Sequence, residues 1–155
     1  MKSEVNISGN RLQITRVFDA PRQLVFSFWT QAEKIQQWSS CKDAVKCEMV
    51  MDFRVGGSFT QKIQLAVHGK LCEFSVSGTY EEIVEPERIV YSADFGNFST
   101  RVMVEFFEQV KGTKVVLTHE GCPDDSFCKN VSQGTSESLD KLDAVLMGQV
   151  VAAAP

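Results

Sequence analysis

The chain has 155 residues, 43% of them hydrophobic, and a net charge of −4. That is enough for one domain, 1–155 with a core of about 11–150, that needs no metal or disulfide to close it. The acidic balance argues against nucleic acid as a partner, and no run of eighteen apolar residues is present to insert in a membrane. The first six residues, Met1 to Asn6, contain no apolar signal region, so a cytoplasmic location is expected. In a reducing compartment Cys41, Cys47, Cys72, Cys122 and Cys128 read as free thiols. Their spacing fits no zinc knuckle, and neither a metal nor a cofactor is expected.

Residues 1–10 show little periodicity and read as a loose tail or fraying edge. Arg11 to Phe18 alternates, with Leu12, Ile14 and Phe18 on one side, which predicts a first strand. Asp19-Ala20-Pro21 ends it and starts a helix carrying Leu24, Val25, Phe28 and Trp29. A second short helix, about Ala32 to Trp38, brings up Ile35 and Trp38, and a polar loop follows.

Alternation then takes over. Ala44 to Phe53 predicts a strand whose Val45, Cys47, Met49, Met51 and Phe53 share a face. Arg54-Val55-Gly56-Gly57 turns the chain into a strand marked by Phe59, Gln61, Ile63 and Leu65. His68-Gly69-Lys70 turns it again into the long strand Leu71 to Val84, where Gly78 marks a bulge or a close approach. Arg88 to Phe95 and Phe98 to Val110 are joined by Gly96-Asn97, a two-residue hairpin signal. Thr113 to Glu120 completes the set, with Val115, Leu117 and His119 on one face.

After a plain loop from Gly121 to Ser126, Val131 to Val151 changes period. Val131, Thr135, Leu139, Leu142, Leu146 and Gln149 recur at steps of three and four, widened by Val145 and Val150. Glu137, Asp140, Lys141 and Asp143 fall on the other side, giving a wet face and a buried one. Val151 to Pro155 reads as a frayed end. Six hairpin-joined strands plus the first make one twisted antiparallel sheet with a face to cover, and this helix is the one element long enough to cover it. The expected fold is therefore α+β, a curved antiparallel sheet of about seven strands wrapped around a long C-terminal helix, with two short helices between the first and second strands.

Several blocks along the chain also resemble a known family in order and spacing. They are Ile14-Thr15-Arg16-Val17-Phe18-Asp19-Ala20-Pro21; Val25-Phe26 with Trp29-Thr30; Trp38; Asp52-Phe53-Arg54-Val55-Gly56-Gly57-Ser58-Phe59; Gly78-Thr79-Tyr80 with Pro86-Glu87-Arg88-Ile89-Val90; Leu117-Thr118-His119-Glu120-Gly121; and the Leu139/Leu142 helix. Together, over about residues 11 to 150, they resemble the activator-of-heat-shock-protein-90-ATPase-like branch of the START/SRPBCC superfamily. The resemblance implies the helix-grip fold and, for most members, an apolar cavity between sheet and long helix. Two positions depart from the pattern. Trp38-Ser39-Ser40 stands where many relatives carry a tryptophan pair and glycine, and Gly134-Thr135 where many carry a tryptophan after the glycine. Both flank the cavity entrance in the family, which implies a wider, more polar mouth.

A large empty cavity would be costly, so one here must be small, wet or occupied. Its candidate polar contacts are His119, Gln61, Tyr80 and Tyr91 on the sheet, with Thr135 and Gln149 on the helix. Candidate apolar contacts are Phe59, Phe106, Leu139, Leu142 and Leu146. Trp29 and Trp38 read first as packing residues and second as lid or stacking residues. His119 reads first as a satisfied strand-end histidine and second as a ligand contact.

Catalysis finds little support. His119 and Glu120 leave opposite faces of a strand and cannot form a dyad. The leading expectation is a non-enzymatic module binding a small apolar or aromatic molecule of unknown identity. The alternatives are a chaperone-binding module, as the family resemblance implies, and a cyclase- or hydrolase-like enzyme using His119 with water.

Overall fold

The computed structural model describes residues 3–153. Two strands open the chain, β1 (Glu4–Ser8) and β2 (Arg11–Phe18), followed by two short helices, α1 (Arg22–Ser27) and α2 (Ala32–Ile35). Six strands come next: β3 (Ala44–Met51), β4 (Ser58–Val67), β5 (Lys70–Val84), β6 (Arg88–Asp94), β7 (Ser99–Glu108) and β8 (Thr113–Glu120). A long helix, α3 (Asp125–Ala153), ends the described chain. The strands form a single sheet in the order β1-β2-β8-β7-β6-β5-β4-β3, antiparallel throughout.

The sheet therefore has eight strands where about seven are expected. The addition is β1, which pairs with β2 from Glu4↔Thr15 to Ser8↔Arg11. It escapes a reading by periodicity because all five of its residues are exposed and neither face is under burial pressure. The Gly9-Asn10 hairpin turn, with Gly9 at φ 60°, is the signal that identifies it.

Three further differences from the expected elements each have a local reason. A register shift between Ala44 and Lys46 takes Val45 off the inner face and leaves it 58% exposed, as a bulge does. The second short helix stops at Ile35, and Trp38 is reached through a turn in which its amide donates to the Ile35 carbonyl. At the other end, α3 begins at Asp125 rather than Val131. Asp124 Oδ1 accepts the Phe127 amide at 2.8 Å, so a polar stretch that reads as loop is the helix N-cap.

The inner face of the sheet and α3 form the core. Leu139, Leu142 and Leu146 are at most 1% exposed and pack with Leu12, Ile14, Val104 and Val115. At roughly 1.5–3 kcal/mol for each buried leucine, this stripe is a large share of a small domain's net stability. Gln149, expected in it, is exposed. The side chains of Val150 and Val151 lie outside the described residues, as do Ala154 and Pro155.

The opposite flank of α3 is not simply wet. Arg16, 3% exposed on the inner face of β2, donates to Asp140, and its other terminal nitrogen lies 3.4 Å from Asp143. A buried guanidinium needs such partners, and the pair ties β2 to the middle of α3. Gly78 is a close approach rather than a bulge: a Cβ there would lie 1.8 Å from the Ser92 carbonyl and 2.7 Å from the Phe59 ring. The register irregularity in β5 falls instead between Tyr80 and Glu82.

A cavity between the sheet and the C-terminal helix

Each wall of the cavity comes from a different element. Trp29 follows α1 and Trp38 follows α2, their rings 4.6 Å apart between centroids. Trp38 Nε1 donates to the Phe28 carbonyl at 3.1 Å, which satisfies its polar edge and fixes its plane. Phe106 stands behind Trp29, edge to face at 5.0 Å. Tyr80 is clamped through its backbone: the Gly56 amide donates to its carbonyl and its own amide donates to the Gly57 carbonyl, at 2.8 and 2.9 Å. Gly57 permits this because a Cβ would sit 2.0 Å from the Asp52 carbonyl. Phe59 and Tyr91 complete the ring wall, with centroids 5.4 Å apart and planes 89° to each other.

Trp29, Trp38, Tyr80, Phe59 and Tyr91 bound an inner chamber of about 120 Å³ together with Ile35, Ser39, Met49, Ile89, Leu117, Thr135 and Ser138. No charged side chain is among them. The chamber continues past Phe59, Tyr91, Leu117 and Thr135 into a more open mouth of about 210 Å³, bounded by Ile63, Val76, Phe95, His119, Val131, Gly134 and the segment Ser39–Cys41. The two spaces together lie at the lower end of the ~300–1,000 Å³ usual for small-molecule sites.

The segment Ser39–Lys42 crosses the mouth as a strap. Gln61 Nε2 donates to the Ser39 carbonyl at 2.6 Å and to Ser39 Oγ at 3.0 Å. Lys141 Nζ donates to Ser40 Oγ and to the Cys41 carbonyl at 2.9 and 2.8 Å. The Lys42 amide donates to Glu137 at 3.1 Å. Glu137 and Lys141 thus hold the strap on α3, a role that their place on a supposedly solvated face conceals. Ser39, Ser40 and Thr135, the positions that depart from the family pattern, all border the cavity.

At the far rim, Phe95, Phe98 and Phe127 form a second aromatic group, with Phe127 edge-on to both of the others. His119 sits beside it, 5% exposed, with Nε2 2.6 Å from Thr100 Oγ1. Burial lowers the His119 pKa to about 4, so the ring is neutral at pH 7. Glu120 leaves the opposite face and lies near Arg11.

Of the residues expected to meet a ligand, Trp29, Trp38, Phe59, Tyr80 and Tyr91 line the chamber and His119 lines the mouth. The other five do not border it. Gln61 is turned to the strap, Phe106 is behind Trp29, and Leu139, Leu142 and Leu146 belong to the solid core. The reason lies in the helix. Its leucine stripe buries against the sheet, so the space is left where the helix carries small residues, Gly134, Thr135 and Ser138. Ile89 and Ala93 could have been found by extending the alternation of Tyr91 along β6, whereas nothing in the sequence marks Ser39–Cys41 as a strap.

An antiparallel sheet closed on a long C-terminal helix, with a cavity between them, is the helix-grip architecture of the START/SRPBCC superfamily. Within it, the chain matches the family described as "Activator of Hsp90 ATPase homolog 1-like protein" over residues 19–147, and it belongs to that family. Solved structures agree on the fold. Protein CV1439 from Chromobacterium violaceum is 24% identical, with a TM-score of 0.81 over 89% of this chain and 98% of its own. CalU16 from Micromonospora echinospora is 21% identical, with a TM-score of 0.72 over 98% and 90%. A protein from Rhizobium leguminosarum is 28% identical, with a TM-score of 0.67 over 94% and 96%. A comparison with curated proteins finds no match. Among the described residues no helix is long and apolar enough to cross a membrane.

Proposed function

We propose that this protein binds a small apolar or aromatic molecule, without transforming it, in the cavity between the sheet and α3. The observation that carries this reading is the ring-walled, uncharged chamber opening through a strapped mouth. Space of that kind is unfavourable to leave empty, and a mostly apolar hollow with a few hydroxyls suits a ligand better than bulk water. His119 fits binding rather than turnover: its neighbour is a neutral hydroxyl, and burial keeps it uncharged over the physiological range.

Native mass spectrometry of freshly purified protein should show a species heavier than the polypeptide by one small molecule. A panel of aromatic and lipid-like compounds should raise the melting temperature and perturb the resonances of Trp29 and Trp38. A bare polypeptide mass with no response to the panel, alongside recovery of heat-shock-protein-90 from lysate, would replace this reading with the chaperone-binding one.

A further inference from the structure

The inner chamber carries a recognition pattern as well as a shape, and its hydrogen bonds expose it. Ser138 Oγ donates to the Gly134 carbonyl at 2.9 Å, and Ser39 Oγ accepts from Gln61. The hydroxyls of Tyr80 and Tyr91 have no such partners among the described residues. They also differ from Arg16 Nε, which among the described residues is the fully enclosed side-chain atom without a partner. Both residues line the inner chamber, and their hydroxyls are neither bonded nor fully enclosed.

Their rings stand 6.2 Å apart between centroids. Burial pushes the Tyr91 phenol up to about 12, and burial together with the nearby Tyr91 raises Tyr80 still further. At neutral pH both are O–H groups able to donate. A buried donor with no acceptor is costly, so the pair favours an occupant that supplies one. An entering anion could accept from the same two hydroxyls but would meet no cation on the chamber walls, and two neutral donors do not replace the hydration of a full charge.

Resting on the binding reading above, we propose that Tyr80 and Tyr91 select an uncharged ring compound bearing a carbonyl-type acceptor oxygen, and reject the corresponding carboxylate. The rings supply affinity and the two hydroxyls supply orientation, setting the oxygen at the closed end and the rest of the molecule toward the mouth.

Three probes of nearly equal shape separate these contributions: acetophenone, α-methylstyrene, in which a methylene replaces the oxygen, and benzoate. NMR titrations at pH 7.5 should give acetophenone about tenfold tighter binding than α-methylstyrene, the scale of one or two hydrogen bonds. Benzoate should bind more weakly than either. Tyr80→Phe and Tyr91→Phe should each narrow the acetophenone preference and together erase it, leaving α-methylstyrene affinity within about twofold. If wild type binds acetophenone and α-methylstyrene equally, or takes benzoate best, the proposed selection is overturned while the binding reading stands. If none of the three binds, the proposed selection is overturned, and the binding reading then falls only if the native mass is bare and the wider panel is silent.

Discussion

The two ends of the cavity are built from different materials. The inner chamber is walled by rings held in place by backbone clamps and by one another, as in the Gly56–Tyr80–Gly57 suture and the Trp38 to Phe28 hydrogen bond. The mouth is walled by small helix residues, a strap held through side chains, and a buried histidine. Aromatic packing resists deformation because every displaced ring loses contacts on several sides. A strap held by Lys141, Gln61 and Glu137 can let go without disturbing the core. Under the proposed binding role, the difference would divide the labour: the closed end would discriminate and the open end would admit.

The comparison breaks most readily along α3, whose two faces serve the two purposes. Leu142 is 0% exposed in the solid core, and Leu142→Ala should cost roughly 2–5 kcal/mol. This would appear as a lower urea midpoint at an unchanged slope. Thr135 already borders open space, so Thr135→Ala only enlarges what is there and should cost less than about 1 kcal/mol. Similar losses at the two positions would mean that the helix has no distinct cavity face.

That helix also shows where the sequence is legible and where it is not. The period of Leu139, Leu142 and Leu146 reveals the buried stripe, because burial imposes a repeat that chemistry alone displays. The alternation of β2 through β8 reveals the sheet for the same reason. Space imposes no repeat. The cavity lies where the stripe gives way to Gly134, Thr135 and Ser138, and small residues look the same on a helix whether they face a void or solvent. The strap is harder still, since Ser39-Ser40-Cys41-Lys42 has the composition of any exposed loop. Its function depends on Gln61 and Lys141, about twenty and one hundred residues away. Tyr80, Tyr91 and His119 are visible as candidates because a polar group on an inward strand face is conspicuous. Gln61 is equally conspicuous, yet its partner is the protein itself.

A second test separates the ends by pH. His119 in the mouth wall has its pKa lowered to about 4 by burial, against about 6.5 in an unfolded chain. Between those values the unfolded chain takes up a proton that the folded protein refuses, so stability rises with pH across that window. The contribution is complete above about pH 6.5 and is lost as the pH falls toward 4. It amounts to roughly 3 kcal/mol, since each tenfold change in proton affinity is worth about 1.4 kcal/mol. The chamber tyrosines do not titrate in this range. Across pH 7.5, 6, 5 and 4 the urea midpoint of wild type should therefore fall more steeply than that of His119→Gln, beyond any change the carboxylates cause in both. Parallel curves would mean that the imidazole is hydrated in the folded state and that the mouth is far wetter than the 5% exposure of His119 indicates.

The smallest effect is the most specific to the strap. Lys141→Met removes the two donations to Ser40 Oγ and the Cys41 carbonyl, but both acceptors lie near enough to solvent to take water instead. Global stability should fall by no more than about 1 kcal/mol. Local opening should respond more clearly. The amides of Ser40 and Ala44, which donate to the Trp38 and Cys41 carbonyls at the two ends of the strap, should exchange with solvent about fivefold faster, the factor that 1 kcal/mol corresponds to. The Tyr80 amide, clamped to Gly57 at the closed end, should keep its protection relative to global unfolding. Because an opened strap eases passage both ways, probe association and release should accelerate together and leave the equilibrium affinity nearly unchanged. Faster exchange at Tyr80 as well would show that mouth and chamber open as one unit, and the division of labour between them would then be lost.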